Sequence, residues 1–193
     1  DRDPVSGADL ASQPTLSRLE NGLNRSDLLR FGLALLDTIV DHHSRRLRRK
    51  CRRITVDLDP TDNPTHGAQQ LTFFNGHYDT WCYLPMVAFL TFDDEPDQYL
   101  CSALLRPGNA PVRNGAVGLR SRILPRLRAA FPGVEILVRL DGGFAVPDIL
   151  DFLSWQPDVL YVVGMPTNSR LVRKAARFLK QARRRFRRSR KTC

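Results

Sequence analysis

The sequence predicts an α/β fold: a mixed sheet in which a three-strand meander is followed by parallel strands, flanked by helices and preceded by an amino-terminal helical extension. Three observations predict it. Residues 53–59 (RITVDLD) alternate apolar Ile54, Val56 and Leu58 with polar Thr55, Asp57 and Asp59, the period of two of a strand with one buried face. Residues 134–141 (VEILVRLD) form a second apolar run that stops at an acid and is followed at once by Gly142 and Gly143. Around these two, short strand-like runs come first and helical spacings alternate with strands afterwards.

Taken in order, residues 1–25 read as a short helix, a Gln-Pro break and a second short helix, an extension packing on the domain. From Ser26 to about Lys50 runs a stronger helix, with Ser26 as its cap and Leu28, Leu29, Phe31, Leu35, Leu36, Ile39 and Val40 at helical spacing. It ends in HHSRRLRRKCRR; the adjacent His42 and His43 point to different sides, which disfavours a shared metal. The strand from Arg53 should end near Asp59, because Pro60 cannot donate to a ladder and Asp62, Asn63, Pro64 and Gly67 are turn formers. The aromatic segment 70–83 contains an Asn-Gly pair suited to a hairpin, with Trp81 and Tyr83 read as core or edge packing. Two further strands, CYLPMVAFLTF and QYLCSALLRP, flank the acidic loop 93–97. An amphipathic helix over 115–131 turns Val117, Leu119, Ile123, Leu124 and Leu127 inward, and the second acidic strand follows. Then come a helix at 147–155, a strand at 159–166 and a long basic helix from Ser169 to about Arg188. That order is the RNase H-like one, with a division into a helical region 1–50 and a catalytic core 51–193.

Composition narrows the partners. Thirty Lys and Arg against 20 Asp and Glu give a net charge of +10 and a pI near 10.2, which calls for an anionic partner, nucleic acid first. With 42% apolar residues the chain is not disordered overall. No apolar run reaches eighteen residues, and the first ten lack the pattern of a secretion signal, so a soluble, cytoplasmic protein without membrane contact is expected. Cys51, Cys82, Cys101 and Cys193 show no paired spacing and read as reduced thiols.

If the two acidic strands lie parallel and adjacent, Asp59 and Asp141 meet at their carboxyl ends, where α/β sheets place ligands. Two neighbouring carboxylates repel each other and attract a cation; an all-oxygen donor set suits Mg2+ or Mn2+ rather than zinc. Taken alone, Asp59 reads as a strand-end aspartate capping the Pro60 turn, and His66 as a turn histidine. Arg139 shares the face of Asp141 and is a candidate ion-pair partner for it.

Four segments, DLDPTDNPTHG (57–67), FFNGHYDTWCYLP (73–85), ALLRPGNAPVRNGAV (103–117) and RLDGGFAVPD (139–148), together resemble bacterial insertion-sequence transposases of the DDE type. The resemblance runs from about residue 12 to 171. It implies an RNase H-like core that uses two divalent metals to cut double-stranded DNA at transposon ends and join the 3′ hydroxyl to a target. Position by position, the first acid of that family, in a D-x-T setting, matches Asp59 with Thr61, and Asp57 faces the same way and stays open as an alternative. The second, in a D-x-G-F setting, matches Asp141 with Gly143 and Phe144. The third, a later glutamate, has no counterpart: the only glutamates are Glu20, Glu95 and Glu135, and beyond Asp151 the only acid is Asp158. Glu135 lies about 20 Å along the strand from Asp141 and cannot substitute.

The expectation is therefore a transposase portion, truncated or decayed, working at the nucleoid, catalytically incomplete, with a homodimer left open. Arg106, Arg113 and Arg120, and the cluster Arg183, Arg184, Arg185, Arg187 and Arg188, are the candidate DNA contacts. The contrasting expectation is a noncatalytic basic nucleic-acid-binding module whose acids are structural. Dependence on divalent metal separates the two.

Overall fold

The computed structural model describes residues 2–3, 5–47 and 50–189, excepting the side chains of residues 112, 113, 117, 119, 120 and 189. Residues 6–12 form no helix. The first helix, α1 (Gln13–Gly22), begins at the Gln-Pro that the sequence suggested as a break. Proline is favoured in a first turn, where its missing N–H costs nothing. The second, α2 (Arg25–Leu47), is capped two residues earlier than expected. Asn24 Oδ1 accepts from the Ser26 and Asp27 amides, while Asp27 Oδ2 accepts from the Asn24 amide, a reciprocal capping box in place of a Ser26 cap.

The chain then enters β1 (Arg53–Pro60) and a small three-stranded sheet of β2 (Asn63–Pro64), β3 (Phe73–Asn75) and β4 (Thr80–Tyr83), in the order β2-β4-β3. The Asn-Gly pair sits in a hairpin as expected, but with a four-residue loop. Asn75 closes it, its Oδ1 accepting from the His77 amide and its Nδ2 donating to the Gly108 carbonyl. Cys82 and Tyr83 belong to this sheet; Pro85 separates them from β5 (Met86–Phe92), which is followed by β6 (Tyr99–Leu104). Trp81 is 57% exposed and meets Phe74 edge to face across the strands, so it is not a core residue.

The helix expected over 115–131 is broken into α3 (Ala116–Gly118), a π-helical turn (Leu119–Ile123) and α4 (Leu124–Ala130). Pro125, in the first turn of α4, cannot donate to the preceding turn, and the widened turn accommodates it. Ile123, Leu124 and Leu127 are buried as expected; the side chains of Val117 and Leu119 lie outside the described residues. The remaining elements are β7 (Glu135–Leu140), α5 (Pro147–Ser154), β8 (Val159–Val163) and α6 (Ser169–Ser189). No helix among the described residues is long and apolar enough to cross a membrane.

The main sheet has the order β6-β5-β1-β7-β8, with β1 antiparallel to β5, β5 antiparallel to β6, and the pairs β1–β7 and β7–β8 parallel. This is the RNase H-like meander-plus-parallel arrangement. Its core lies on one face: Ile54, Val56, Leu58, Leu90, Phe92, Ile136 and Val138 pack with Leu36 and Val40 of α2, Leu124 and Leu127 of α4, and Ile149 and Leu153 of α5. His43 of α2 is buried there as well, stacked on Phe92 with ring centroids 4.2 Å apart. The other face carries Asp57, Asp59 and Arg139, and exposes Leu100, Leu160 and Val162.

Candidate metal centre and nucleic-acid interface

Strand alternation places Asp57 and Asp59 on the sheet face opposite the core, and parallel pairing sets β7 beside β1. Asp57 stands across from Arg139 and Leu58 across from Leu140, so one residue further on Asp59 and Asp141 come side by side where both strands end. The two acids belong to a groove of about 370 Å³ lined also by Asp57, Phe89, Gln98 and Arg139.

The three acids have different surroundings. Arg139 Nε and Nη2 donate to the two oxygens of Asp57 at 2.5 and 2.6 Å, a bidentate ion pair. Arg139 thus pairs with Asp57, not with Asp141. Asp141 caps the short 3₁₀ turn Gly142–Phe144, one carboxylate oxygen accepting from the Gly143 amide at 3.0 Å. Asp59 accepts no hydrogen bond from any described residue. Partial burial, then the charge of Asp141, then that of Asp57 push its carboxyl above the usual carboxylate range. A group that holds a proton too readily for want of a positive neighbour is electrostatically suited to a cation.

The backbone around the pair is pinned. The Gly164 amide donates to the Leu140 carbonyl at 3.0 Å, and a Cβ on Gly164 would stand 3.1 Å from the Gly142 nitrogen and 3.4 Å from the Asp141 carbonyl carbon. The strand end after β8 therefore buttresses Asp141. On the other side Tyr78, in the hairpin loop, donates its hydroxyl to the Pro60 carbonyl at 3.2 Å. Gly164, Tyr78, Phe89 and Gln98 did not stand out in the sequence. Gly164 carried a usable signal, a glycine directly after an apolar strand; Gln98 carried none.

The expected DNA contacts divide. Arg106 is 4% exposed, donating from Nε to the Leu84 carbonyl at 2.8 Å and from Nη1 to the Pro111 carbonyl at 3.2 Å. It ties the strand end after β6 to its loop and offers no surface to a phosphate; burial lowers its pKa. The side chains of Arg113 and Arg120 lie outside the described residues. Arg183, Arg184, Arg185, Arg187 and Arg188 are exposed on α6, which carries ten Lys and Arg and no acid. Glu135 pairs with Arg53, far from the acid pair. His66 is exposed, its carbonyl accepting from the Gln69 side chain. Among the described residues no group of three or more His, Cys, Asp and Glu is arranged to hold a metal ion.

Among curated protein sequences none matches this chain. Among solved structures, the Mos1 transposase paired-end complex with left transposon end is similar at 14% identity and a TM-score of 0.33, over 76% of this chain and 44% of that one. The family model described as Transposase DDE domain group 1 matches residues 1–193. The chain belongs to the DDE transposase domain group 1 family.

Proposed function

We propose that this chain is the metal-binding part of a transposase that cleaves insertion-sequence ends and transfers the strand, with Asp59 and Asp141 as its metal ligands. The observation that carries the reading is the meeting of these two carboxylates at the ends of adjacent parallel strands, with Asp59 left without a hydrogen-bond donor. The donor set fits the group: carboxylate oxygens suit Mg2+ or Mn2+. Asp59 is preferred to Asp57 as first ligand because Arg139 engages both oxygens of Asp57. When bound, a divalent metal activates the attacking oxygen and stabilises the leaving one at a phosphodiester.

The residues of this chain hold and orient. Asp141, fixed by its capping bond and by Gly164, gives the site a rigid half; Asp59 gives it an unneutralised charge. The cations of α6 hold DNA phosphates, a sequence-independent contact that positions the duplex. Among the described residues the remaining carboxylate of the groove is Asp57, which Arg139 engages, so the two acids leave the catalytic set incomplete. Its partner is double-stranded DNA, as a monomer or homodimer, in the bacterial cytoplasm.

The ten cations of α6 beside a two-acid site favour one further reading, a noncatalytic basic DNA-binding module. Calorimetric titration with manganese separates the two. The parent chain binds manganese, and Asp59→Asn or Asp141→Asn abolishes binding; a parent chain that binds none leaves the noncatalytic module.

A further inference from the structure

Two apolar surfaces in this chain lack a partner, and five residues, 164–168, separate them. The first is the face of the main sheet opposite the core. Parallel strands are normally covered on both faces. Here Leu160 and Val162 on β8 are 50% and 59% exposed, Leu100 on β6 is 39% exposed, and Phe89 and Leu137 are only half-buried. The second is α6. At 100° per residue, Leu171, Val172, Ala175, Phe178, Leu179 and Ala182 form one stripe, and none of residues 169–188 is buried. Val172, Phe178 and Leu179 are each about half exposed.

We propose that α6 folds back across the open face of its own sheet and closes the groove over Asp59 and Asp141. Charge complementarity favours this occupant. The open face carries Asp57, Asp59, Asp141 and Glu135 against Arg139 and Arg53, and cations border the apolar stripe on both sides, Lys174 and Arg185 along one edge and Arg183 along the other. Geometry agrees. Val162 and Leu160 lie about 6.6 Å apart along β8, and Leu171 and Ala175 about 6 Å apart along the helix, so two stripe residues match two strand residues when α6 runs back antiparallel to β8. Docked in this way, the helix covers the acids and commits to them the same cations that would meet DNA. Phosphate then competes with the sheet for α6, and DNA binding opens the groove. The docking rests on apolar and charge matching alone and stands whether or not the acids bind metal.

The test is a pair of cysteine variants in a chain carrying Cys193→Ser, since Cys51, Cys82 and Cys101 are buried. Leu160→Cys with Ala175→Cys places one thiol on the open face and one on the stripe. Leu160→Cys with Arg177→Cys places the second on the opposite side of the helix. Under mild oxidation the first pair forms an intrachain disulfide at least about tenfold faster than the second, because docking raises the local thiol concentration for one face only, and a DNA duplex slows it. Equal rates in the two pairs overturn the proposal, as does an interchain bond, which would make a second copy the occupant. Hydrogen exchange of the unmodified chain is a second reading: slowed α6 amides that Leu179→Asp releases support docking, and α6 amides that exchange freely in the parent overturn it.

Discussion

Arg139 holds Asp57 through two hydrogen bonds across adjacent parallel strands, and so removes one of three clustered carboxylates from the reactive end of the sheet. Arg139→Met frees that carboxylate without disturbing the strand. Stability should fall by about 1 kcal/mol, since the guanidinium is half exposed. Manganese affinity should rise, because a nearby cation has been lost and a nearby anion released. Calorimetry reads both quantities against urea unfolding; weakened manganese binding would mean that Arg139 shapes the acid pair instead of only neutralising Asp57.

Asp59 carries a raised pKa in the folded chain, chiefly from burial and then from Asp141. Between the unfolded value and this higher folded value the native state binds more protons, so stability falls as pH rises through that window. At pH 7 the whole penalty stands. Asp59→Asn should therefore raise the melting temperature at pH 7 in the absence of metal, with the gain shrinking as pH drops through the carboxylate range. A variant less stable than its parent at pH 7 would show that Asp59 makes a stabilising contact when ionised.

The buried imidazole of His43 stacks on Phe92 and accepts at Nδ1 from Arg46, which in turn forms a two-pronged ion pair with Glu95. Burial, then the charge of Arg46, then that of His42 lower its pKa. The sign is opposite to the Asp59 case. Below the ordinary imidazole value the unfolded chain takes up a proton that the folded chain resists, so stability is full above about pH 6.5 and declines as pH falls towards the lowered value. His43→Phe should flatten that decline while keeping the stack, and His43→Ala should cost roughly 2–4 kcal/mol for a lost buried ring. Urea titrations from pH 5 to 8 distinguish the two.

Burial separates Arg106 from the exposed arginine cluster of α6. Arg106→Met removes donors from the buried Leu84 carbonyl and the partly exposed Pro111 carbonyl and should cost about 2 kcal/mol, leaving the salt dependence of DNA binding as it was. Replacing Arg183, Arg184, Arg185, Arg187 and Arg188 with Gln should do the reverse. The slope of log affinity against log salt should shrink by about 4.5 units if all five meet phosphates, with little change in melting temperature. A fall in slope for Arg106→Met would place that side chain at the DNA.

Strand and acid positions were readable because alternation and abrupt termination are local features: Ile54, Val56 and Leu58 declare a face, and Asp59 and Asp141 declare ends. The adjacency of β1 and β7 was inferable from the order of elements. What escaped depends on contacts distant in sequence. Arg106 looks like any loop arginine until the Leu84 and Pro111 carbonyls close around it. Gly164 matters because of how closely it passes Asp141. The Ser26 cap was misplaced by two residues because Asn24 and Asp27 satisfy each other, a pairing that a search for serine alone overlooks.

The central place of β1 in the sheet governs when the acid pair can exist. All its partners are made after it: β5 about thirty residues later, and β7 only when the segment from Glu135 emerges, 82 positions beyond Arg53. During synthesis the meander of β1, β5 and β6 can therefore assemble while Asp59 stands at a sheet edge without Asp141, the larger of the two charges that raise its pKa. Docking of β7 then completes the hydrophobic layer and delivers Asp141 in one event. The nascent chain thus acquires its acidic site late, at the step that also closes its core and brings Arg139 to Asp57.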